Sequence, residues 1–493
     1  MEHEMLDFTA DKNPEALKEF IKREGIACID MKFCDMAGFW RHMTLPIDGL
    51  CDDMWTKGVG VDGSSIPQFA GVNKADIGIV PDLRSGFIDE AFDRPCLSFI
   101  CDVVRPGNLA PHPADPRGVA KRAEGYLCKS GAADEIRFMA ELEYYVFNRA
   151  EYHVGEDEAY WAITSSEGNP VNSGADSCDC CGEGSSAILK IPPGYGYLIT
   201  PPLDAYTNMR DEIVEKLTSL GIGVKYHHHE GGAYGQQEIE LKFAGLLDSS
   251  DHILLTKYIA RLVAAEWGAN ITFMPKPLPN KPGTGMHYHM QLRKGGKTVS
   301  CSKDGYAGLS PTALSFIGGI LSHGRALMAI TSASTNSYRR LKPGHETPTS
   351  FYFAAANREA AIRIPIYTRD PDEKRWEYRP SDATGNPYLS LAAIVMAGLD
   401  GIERNIDPTK EGFGPYDGPG PNIKRSPKTL KKLLPTSLEE ALLALDADHD
   451  FLLKGDVFSE DLIKTYIEFK YEKDIRLLQN HPHPYEFELY FNL

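Results

Sequence analysis

The stretch FMAELEYYVF (138–147) decides the fold of this chain. Glu141 and Glu143 stand two residues apart in an otherwise apolar run, and side chains two residues apart in a strand point to the same face. Other segments repeat this mixture of β-forming and charged residues, namely VKYHHHE (224–230), QQEIELKF (236–243), GMHYHMQL (285–292) and RWEYRP (375–380). Together they predict a large sheet that carries charged side chains on one face.

The charged face predicts a metal site. His287 and His289 share a face, as do Glu377 and Arg379, and a Gly-rich bend lies between Glu230 and Glu238. Carboxylates that face a sheet interior are costly to bury unless a cation pairs with them. A carboxylate-rich set favours Mg²⁺ or Mn²⁺ over Zn²⁺. For one pair alone, a solvated sheet face is an equally good interpretation, so the prediction depends on the whole set.

A basic set of residues follows along the chain and points to phosphate. Its members are Arg339, Arg340, Lys342, Arg358, Arg363, Arg375 and Arg379. Guanidinium groups bind phosphate and carboxylate oxygens bidentately, so several of them beside divalent cations indicate phosphoryl transfer. Each arginine alone is better explained as half of a surface ion pair. Gly296-Lys297-Thr298 imitates the end of a P-loop, but Gln291 stands where the first glycine belongs, so we predict a hairpin turn there.

Composition limits the class of protein. The 493 residues carry a net charge of −17, which disfavours nucleic acid as a partner. The acidic N-terminus lacks the features of a secretory signal and no window of 18 apolar residues occurs, so we predict a cytoplasmic protein without a membrane span. Cys178, Cys180 and Cys181 form a cluster without a CxxC spacing, and we predict free thiols in a loop.

Prolines between 106 and 116 predict a domain boundary near residue 110, which gives a domain 1–110 and a domain 111–493. The predicted elements are a helix over 14–24, strands over 27–33, 38–45 and 97–104, a helix over 116–130, an irregular segment over 150–196, an exposed loop over 404–436 and a helical tail in which Ser437 and Ser459 are N-caps. This order indicates an α+β protein with a small first domain.

Eight segments, in the same order along nearly the whole chain, resemble bacterial-type glutamine synthetase. They are VDGSSI (61–66), AELEYYVF (140–147), HHHEGGAYGQQEIE (227–240), FMPKP (273–277), GTGMHYHM (283–290), NSYRRLKPGHETP (336–348), NREAAIRIP (357–365) and NPYLSLAAIVMAGLDGI (386–402). The C-terminal HPYEFELYFNL is also similar to that family. The resemblance implies an N-terminal β-grasp-like domain and a large catalytic domain with a curved antiparallel sheet flanked by helices, as in guanido kinases.

The resemblance implies an ATP-dependent ligase that forms glutamine from glutamate and ammonia through γ-glutamyl phosphate. Two or more Mg²⁺ or Mn²⁺ ions would bind per site, one at Glu143, Glu230 and Glu238 and one at Glu141, His287 and Glu377. ATP would contact His289, Arg358, Arg363, Phe243 and Arg375. Glutamate would contact Arg340, Glu346, Arg379, Gly283, Glu143 and Glu230.

The resemblance also places ammonium binding between subunits. Asp62 and Ser65 would bind and deprotonate ammonium at the catalytic domain of a neighbouring copy, where Tyr197 and Glu346 complete the pocket and Arg358 takes part in catalysis. The implied assembly is a homododecamer of two stacked six-membered rings.

The sequence departs from the family pattern at Pro282, which replaces an asparagine expected to contact glutamate. Ala356 stands where many members have a polar residue, and Arg379 is followed by an unusual Pro-Ser-Asp. The flanks of Tyr416 differ from those of the adenylylated tyrosine, and Gly71 replaces a feedback-sensing arginine, so neither form of regulation is predicted.

Three alternatives remain open from the sequence. The chain could be a γ-glutamyl amine ligase that accepts a small amine, or a non-catalytic paralogue that senses glutamate or nucleotide. A metal-dependent hydrolase would explain the carboxylates, but it would leave the arginines and Asp62 without a role.

Overall fold

A computed structural model describes residues 6–8, 14–51, 53–69, 75–168, 191–192, 194–344, 346–368 and 370–493. The helices are α1 Pro14–Arg23, α2 Met54–Lys57, α3 Pro116–Ser130, α4 Thr207–Ser219, α5 Leu246–Glu266, α6 Pro311–Ser322, α7 Gly324–Thr331, α8 Ser337–Arg340, α9 Pro387–Glu403, α10 Leu438–Ala447, α11 Asp450–Leu453, α12 Glu460–Lys470, α13 Arg476–Gln479 and α14 Pro484–Tyr490. The strands are β1 Cys28–Cys34, β2 Trp40–Pro46, β3 Val59–Asp62, β4 Asp76–Pro81, β5 Phe87–Ile88, β6 Cys96–Val104, β7 Glu135–Phe147, β8 Arg149–Val154, β9 Ala159–Thr164, β10 Val224–His229, β11 Gln236–Leu241, β12 Ala244–Gly245, β13 Asn270–Thr272, β14 Met286–Lys294, β15 Lys297–Thr298, β16 Phe353–Ala355, β17 Ile362–Ile364 and β18 Trp376–Tyr378.

The first sheet is built from β1 to β6 in the order β2-β1-β6-β4-β3, with β5 against β6. β1 and β6 run parallel, and the other pairs are antiparallel. Ile29 and Met31 on β1 and Leu97 and Phe99 on β6 are fully buried, and Leu17 of α1 joins the same core. The apolar residues of the predicted strands therefore form a small core of their own.

The second sheet has the order β10-β11-β7-β14-β18-β17-β16, and β12 and β13 add to β7 while β15 adds to β14. Its pairs are antiparallel except β16 with β17, so this sheet is mainly antiparallel, as predicted. On β7, Phe138, Ala140, Leu142 and Tyr144 belong to the main hydrophobic core, where α5 packs against this strand. Because side chains alternate along a strand, the residues between them point to the opposite face.

Helices α6 and α9 cross closely in the core behind the second sheet. A Cβ atom built on Gly319 of α6 would lie 2.0 Å from the carbonyl oxygen of Ala397 on α9. Only glycine permits this approach of two backbones. Among the described residues, no single helix is long and apolar enough to cross a membrane, although α6 and α7 together, bent by 76°, meet that test by length and composition.

Most predicted elements are confirmed, and one is wrong. Helix α3 has the predicted bounds, and Ser437 and Ser459 cap α10 and α12 as N-caps. The P-loop lookalike is the turn between β14 and β15. The segment 150–196 is not irregular throughout, because β8 and β9 pair as a hairpin. The predicted cysteine cluster and Gly71 lie outside the described residues. The boundary predicted near residue 110 falls between β6 and α3.

Candidate active site

The register of the second sheet brings the predicted polar residues together on one face. Glu238 of β11 lies opposite Glu143 of β7, and His287 of β14 lies opposite Glu141. Further along, Glu377 of β18 lies opposite His289. Strands that are far apart in sequence thus contribute neighbouring carboxylates and imidazoles.

Glu141 and Glu377 are the strongly paired carboxylates of this face. Glu141 contacts His289 Nε2 at 2.7 Å and His287 Nδ1 at 3.1 Å. Glu377, which is fully buried, accepts hydrogen bonds from Arg363 Nη1 at 2.6 Å and from Arg379 Nη1. Burial raises both carboxyl pKa values, but the charges of these partners outweigh it, so the pKa of Glu141 lies well below its usual range and that of Glu377 falls to about 2. Both are ionised at neutral pH.

Glu143 and Glu238 have the opposite electrostatics, because burial and neighbouring carboxylates disfavour their charged forms. Burial and the charge of Glu230 raise the pKa of Glu143 to about 7. Burial and the charges of Glu141, Glu230 and Glu143 raise the pKa of Glu238 well above its usual range. This half of the site therefore has an excess of negative charge that a bound cation would neutralise.

The donor atoms form two groups, each compact enough to hold a cation. Ligand atoms of Glu141, His289 and Glu377 lie within 4.8 Å of one another, and so do those of His228, Glu230 and Glu238. Burial and the charge of Arg379 lower the pKa of His287 to about 4, so its imidazole is neutral and able to act as a ligand. Carboxylates outnumber imidazoles, and such a set fits Mg²⁺ or Mn²⁺.

Arginines and a loop glutamate surround this cluster. Arg340 is nearly buried, and its Nη2 donates to the carbonyl oxygens of Pro380 at 2.6 Å and Ser381 at 2.9 Å. Its Nε is buried without a hydrogen-bond partner. Glu346 lies 3.7 Å from Arg358 Nε, and its carbonyl oxygen accepts from Arg379 Nη2 at 3.4 Å. The pocket therefore presents guanidinium groups opposite the carboxylates.

The loop that carries Gly283 is fixed by hydrogen bonds from the sheet. Tyr145 donates its hydroxyl to the carbonyl oxygen of Pro282 at 2.8 Å, and Gln236 Nε2 donates to that of Gly283 at 2.9 Å. A Cβ atom at Gly283 would lie 2.5 Å from Cγ of Arg340, so this position requires glycine. The chain thus holds a close backbone approach beside Arg340.

Most of the predicted site residues line one pocket. They are Glu141, Glu143, Tyr197, Glu230, Glu238, Gly283, His287, Arg340, Glu346, Arg358, Arg363 and Arg379. His289 and Glu377 are buried and contact this set from beneath. Arg375 lies behind it against Tyr367. Phe243 is half-buried, just after the end of β11.

Asp62 and Ser65 lie elsewhere, in an exposed turn at the end of β3. The Asp62 carboxylate accepts from Ser64 Oγ at 2.6 Å and from Ser65 Oγ at 2.7 Å, and these bonds lower its pKa. Neither residue is among those that line the pocket of the same chain.

Sequence reasoning missed five residues of the pocket, His228, Tyr226, Gln236, Thr347 and Tyr367. For His228 a signal was present, because it alternates with Glu230 and therefore shares its face. Gln236 carried the same signal, because it lies two residues before Glu238 on β11. Thr347 and Tyr367 lie outside the helices and strands and carried no comparable signal.

Comparison with known proteins assigns the family. Residues 25–106 match the family described as "Glutamine synthetase, beta-Grasp domain", and residues 113–490 match "Glutamine synthetase, catalytic domain". The chain belongs to the glutamine synthetase family. A curated glutamine synthetase of Aquifex aeolicus is 42% identical over 482 residues, which cover 97% of this chain and 99% of that protein.

Solved structures of the glutamine synthetase fold agree with this assignment. The glutamine synthetase of Plasmodium falciparum superposes with a TM-score of 0.86 at 27% identity, covering 99% of this chain and all of that one. GmaS in complex with ADP gives a TM-score of 0.76 at 25% identity, covering 97% and 99%. The predicted family and the predicted combination of a β-grasp and a catalytic domain are confirmed.

Proposed function

We propose that this chain is a glutamate–ammonia ligase that forms glutamine from glutamate, ammonia and ATP. The observation that carries the proposal is the buried row of carboxylates and imidazoles on one sheet face, bordered by arginines, in a chain of this family. The γ-carboxylate of glutamate attacks the γ-phosphate of ATP, which gives γ-glutamyl phosphate and ADP, and ammonia then displaces phosphate.

In this proposal the carboxylates hold divalent cations. Glu143, Glu230 and Glu238 serve one ion, and Glu141, His287 and Glu377 serve another. The ions, Mg²⁺ or Mn²⁺, supply charge that neutralises the phosphates of ATP. Their fit rests on the excess of negative charge around Glu143 and Glu238.

The arginines bind the anionic groups of both substrates. Arg358, Arg363 and Arg379 stabilise the charge of the phosphoryl group in transfer, and Arg340 holds a carboxylate of glutamate with its unpartnered Nε. Gly283, which packs directly against Arg340, contacts glutamate in this proposal. His289, Phe243 and Arg375 complete the nucleotide site.

The ammonium half of the site comes from a second copy. Asp62 is exposed, and hydrogen bonds from Ser64 and Ser65 keep it ionised, so its charge is suited to bind ammonium. The family resemblance assigns to Asp62 the proton that ammonium loses. Tyr197 lines the same pocket, and Glu346 covers the acyl phosphate against water. A homododecamer in the cytoplasm, with sites between subunits, follows the family resemblance.

The alternatives are weaker. A non-catalytic sensor is disfavoured, because all six proposed metal ligands are present and clustered. A hydrolase leaves Arg340 and Arg358 without a role. A γ-glutamyl amine ligase remains the second candidate, because Pro282 alters the wall beside Gly283.

A product assay separates these functions. Purified protein is incubated with MgATP and glutamate, and then with ammonium, methylamine or a polyamine in turn. We expect glutamine and equimolar phosphate with ammonium, and no ATP turnover without glutamate. Preferential use of methylamine would favour the second candidate, and ATP hydrolysis without glutamate would indicate the hydrolase.

A further inference from the structure

Tyr367 is a large aromatic residue on the rim of the active-site pocket that core packing does not explain. It follows β17, and 56% of its surface is exposed. It lines the same pocket as Arg363 and Glu141. Exposed aromatic side chains are common on protein surfaces, so a role for Tyr367 must follow from its position and its contacts.

Two arginine side chains lie over the Tyr367 ring. The guanidinium carbon of Arg375 is 5.4 Å from the ring centroid, and that of Arg363 is 5.8 Å away. Arg375 Nη2 also lies 3.3 Å from the tyrosine hydroxyl. Both distances to the centroid are within the range at which the ring quadrupole attracts a cation.

Both arginines are buried cations, and each has an N–H donor without a hydrogen-bond partner. Arg363 is 7% and Arg375 is 5% exposed, and the Nε of each is buried without a partner. Arg363 is paired with Glu377 through one nitrogen. Within the described part of the chain, no carboxylate forms an ion pair with Arg375, whose other contact is the carbonyl oxygen of Glu373 at 3.3 Å.

A buried cation without an anion is costly, so Arg375 is best explained as awaiting an anionic ligand. Before that ligand binds, no carboxylate within the described ranges fixes the plane of its guanidinium. The Tyr367 ring is the group that can do so, and because Nη1 and Nη2 of Arg375 each donate one hydrogen bond to a neutral oxygen, each keeps a second N–H for the ligand. A carboxylate in its place would compete with the ligand for those donors.

We propose that Tyr367 is a positioning residue whose ring orients Arg363 and Arg375 toward the phosphates of the bound nucleotide. This inference rests on the proposed function, because it assumes that the anion is a nucleotide polyphosphate. It assigns Tyr367 no contact with glutamate or ammonium. Its loss therefore weakens nucleotide binding selectively.

The test uses Tyr367→Leu, which keeps apolar bulk and removes the ring, and Tyr367→Phe, which keeps the ring and removes the hydroxyl. Tyr152→Leu on β8 is the matched control, since Tyr152 is 83% exposed on the outlying hairpin. Calorimetry gives the Kd for MgADP, and steady-state kinetics give KM for ATP and for glutamate. Thermal melts of each variant report folding.

We expect Tyr367→Leu to weaken MgADP binding and raise KM for ATP by about tenfold, with KM for glutamate unchanged. Tyr367→Phe stays within about twofold of wild type, because the ring remains. The inference is overturned if Tyr367→Leu binds MgADP as wild type does, or if Tyr367→Phe loses as much as Tyr367→Leu. If the leucine variant weakens MgADP binding but the wild-type protein makes no glutamine, the proposed function fails and this inference stands.

Discussion

Replacing Glu143 with glutamine should stabilise the metal-free protein at alkaline pH. Burial and the neighbouring Glu230 raise the pKa of the Glu143 carboxyl to about 7, whereas the same group in the unfolded chain has its ordinary pKa of 4.5. The folded state therefore binds a proton more tightly, and its stability falls as pH rises from the unfolded to the folded pKa. Glutamine cannot ionise, yet its oxygen can still accept the bond that Gly285 N–H donates at 3.0 Å.

The size of the effect follows from the shift in pKa. A difference of about 2.5 between the folded and the unfolded pKa corresponds to about 3 kcal/mol of lost stability once the pH exceeds the folded pKa. Near pH 5.5 the loss is about half of that or less. Bound Mg²⁺ supplies the missing positive charge to the wild-type site, and the variant lacks one of its ligands. The order of stability should then reverse.

Urea denaturation in EDTA and in saturating Mg²⁺, at pH 5.5 and pH 8, measures these differences. We expect Glu143→Gln to unfold at higher urea than wild type in EDTA at pH 8, with a smaller gain at pH 5.5. In Mg²⁺ the wild type should be the more stable protein. A variant that is no more stable than wild type in EDTA at pH 8 would refute this electrostatic reasoning.

Three further predictions concern the core and the assembly. Gly319→Ala should lower the free energy of unfolding by at least about 2 kcal/mol, because its Cβ would meet the carbonyl oxygen of Ala397. The control Gly125→Ala on α3, where a Cβ would have no atom within 4 Å, should be neutral or stabilising in the same urea titration. Burial lowers the pKa of His323, but hydrogen bonds to Asp400 and Asp448 more than offset this effect, so the pKa is raised in the folded protein. The contribution of His323 to the free energy of unfolding is therefore full below pH 6.5, and it is lost as the pH rises through the folded pKa. The melting temperature of wild type should therefore fall more steeply between pH 6.5 and 8.5 than that of His323→Gln, and parallel curves would contradict this. Asp62→Asn and Glu377→Gln should each abolish glutamine formation. If each site joins two chains, oligomers assembled from equal amounts of the two variants should recover about a quarter of the wild-type activity. No recovery would place the whole site in one chain.

Local patterns in the sequence predicted most elements because the signals act over a few residues. Pro116 is typical of a helix start and predicted that of α3, and alternation along β7 placed Glu141 and Glu143 on one face. Alternation is a property of a single strand, so it gave the face of each residue and left the order of the strands open. The placement of β18 beside β14, which sets Glu377 against His289, is a long-range pairing that no local pattern specifies.

Loops and aromatic contacts could not be predicted for the same reason. Tyr145 and Gln236 fix the loop around Pro282 through bonds between residues more than forty positions apart. Tyr367 shows no periodic pattern, and its relation to Arg375 appears only once the chain has folded. The composition of 150–196 predicts an irregular segment, although the aromatic and β-branched residues within 149–164 form the hairpin of β8 and β9.

The central claim is that a carboxylate of glutamate is activated as an acyl phosphate in this pocket. It is tested by supplying glutamate labelled with heavy oxygen in the γ-carboxylate, together with MgATP and ammonium, and analysing the released phosphate by mass spectrometry. If γ-glutamyl phosphate forms, the oxygen that bridges carbon and phosphorus leaves with phosphate when ammonia attacks, so each phosphate carries one heavy oxygen for every glutamine made. Phosphate that contains no heavy oxygen, released while glutamine accumulates, would contradict the proposed reaction.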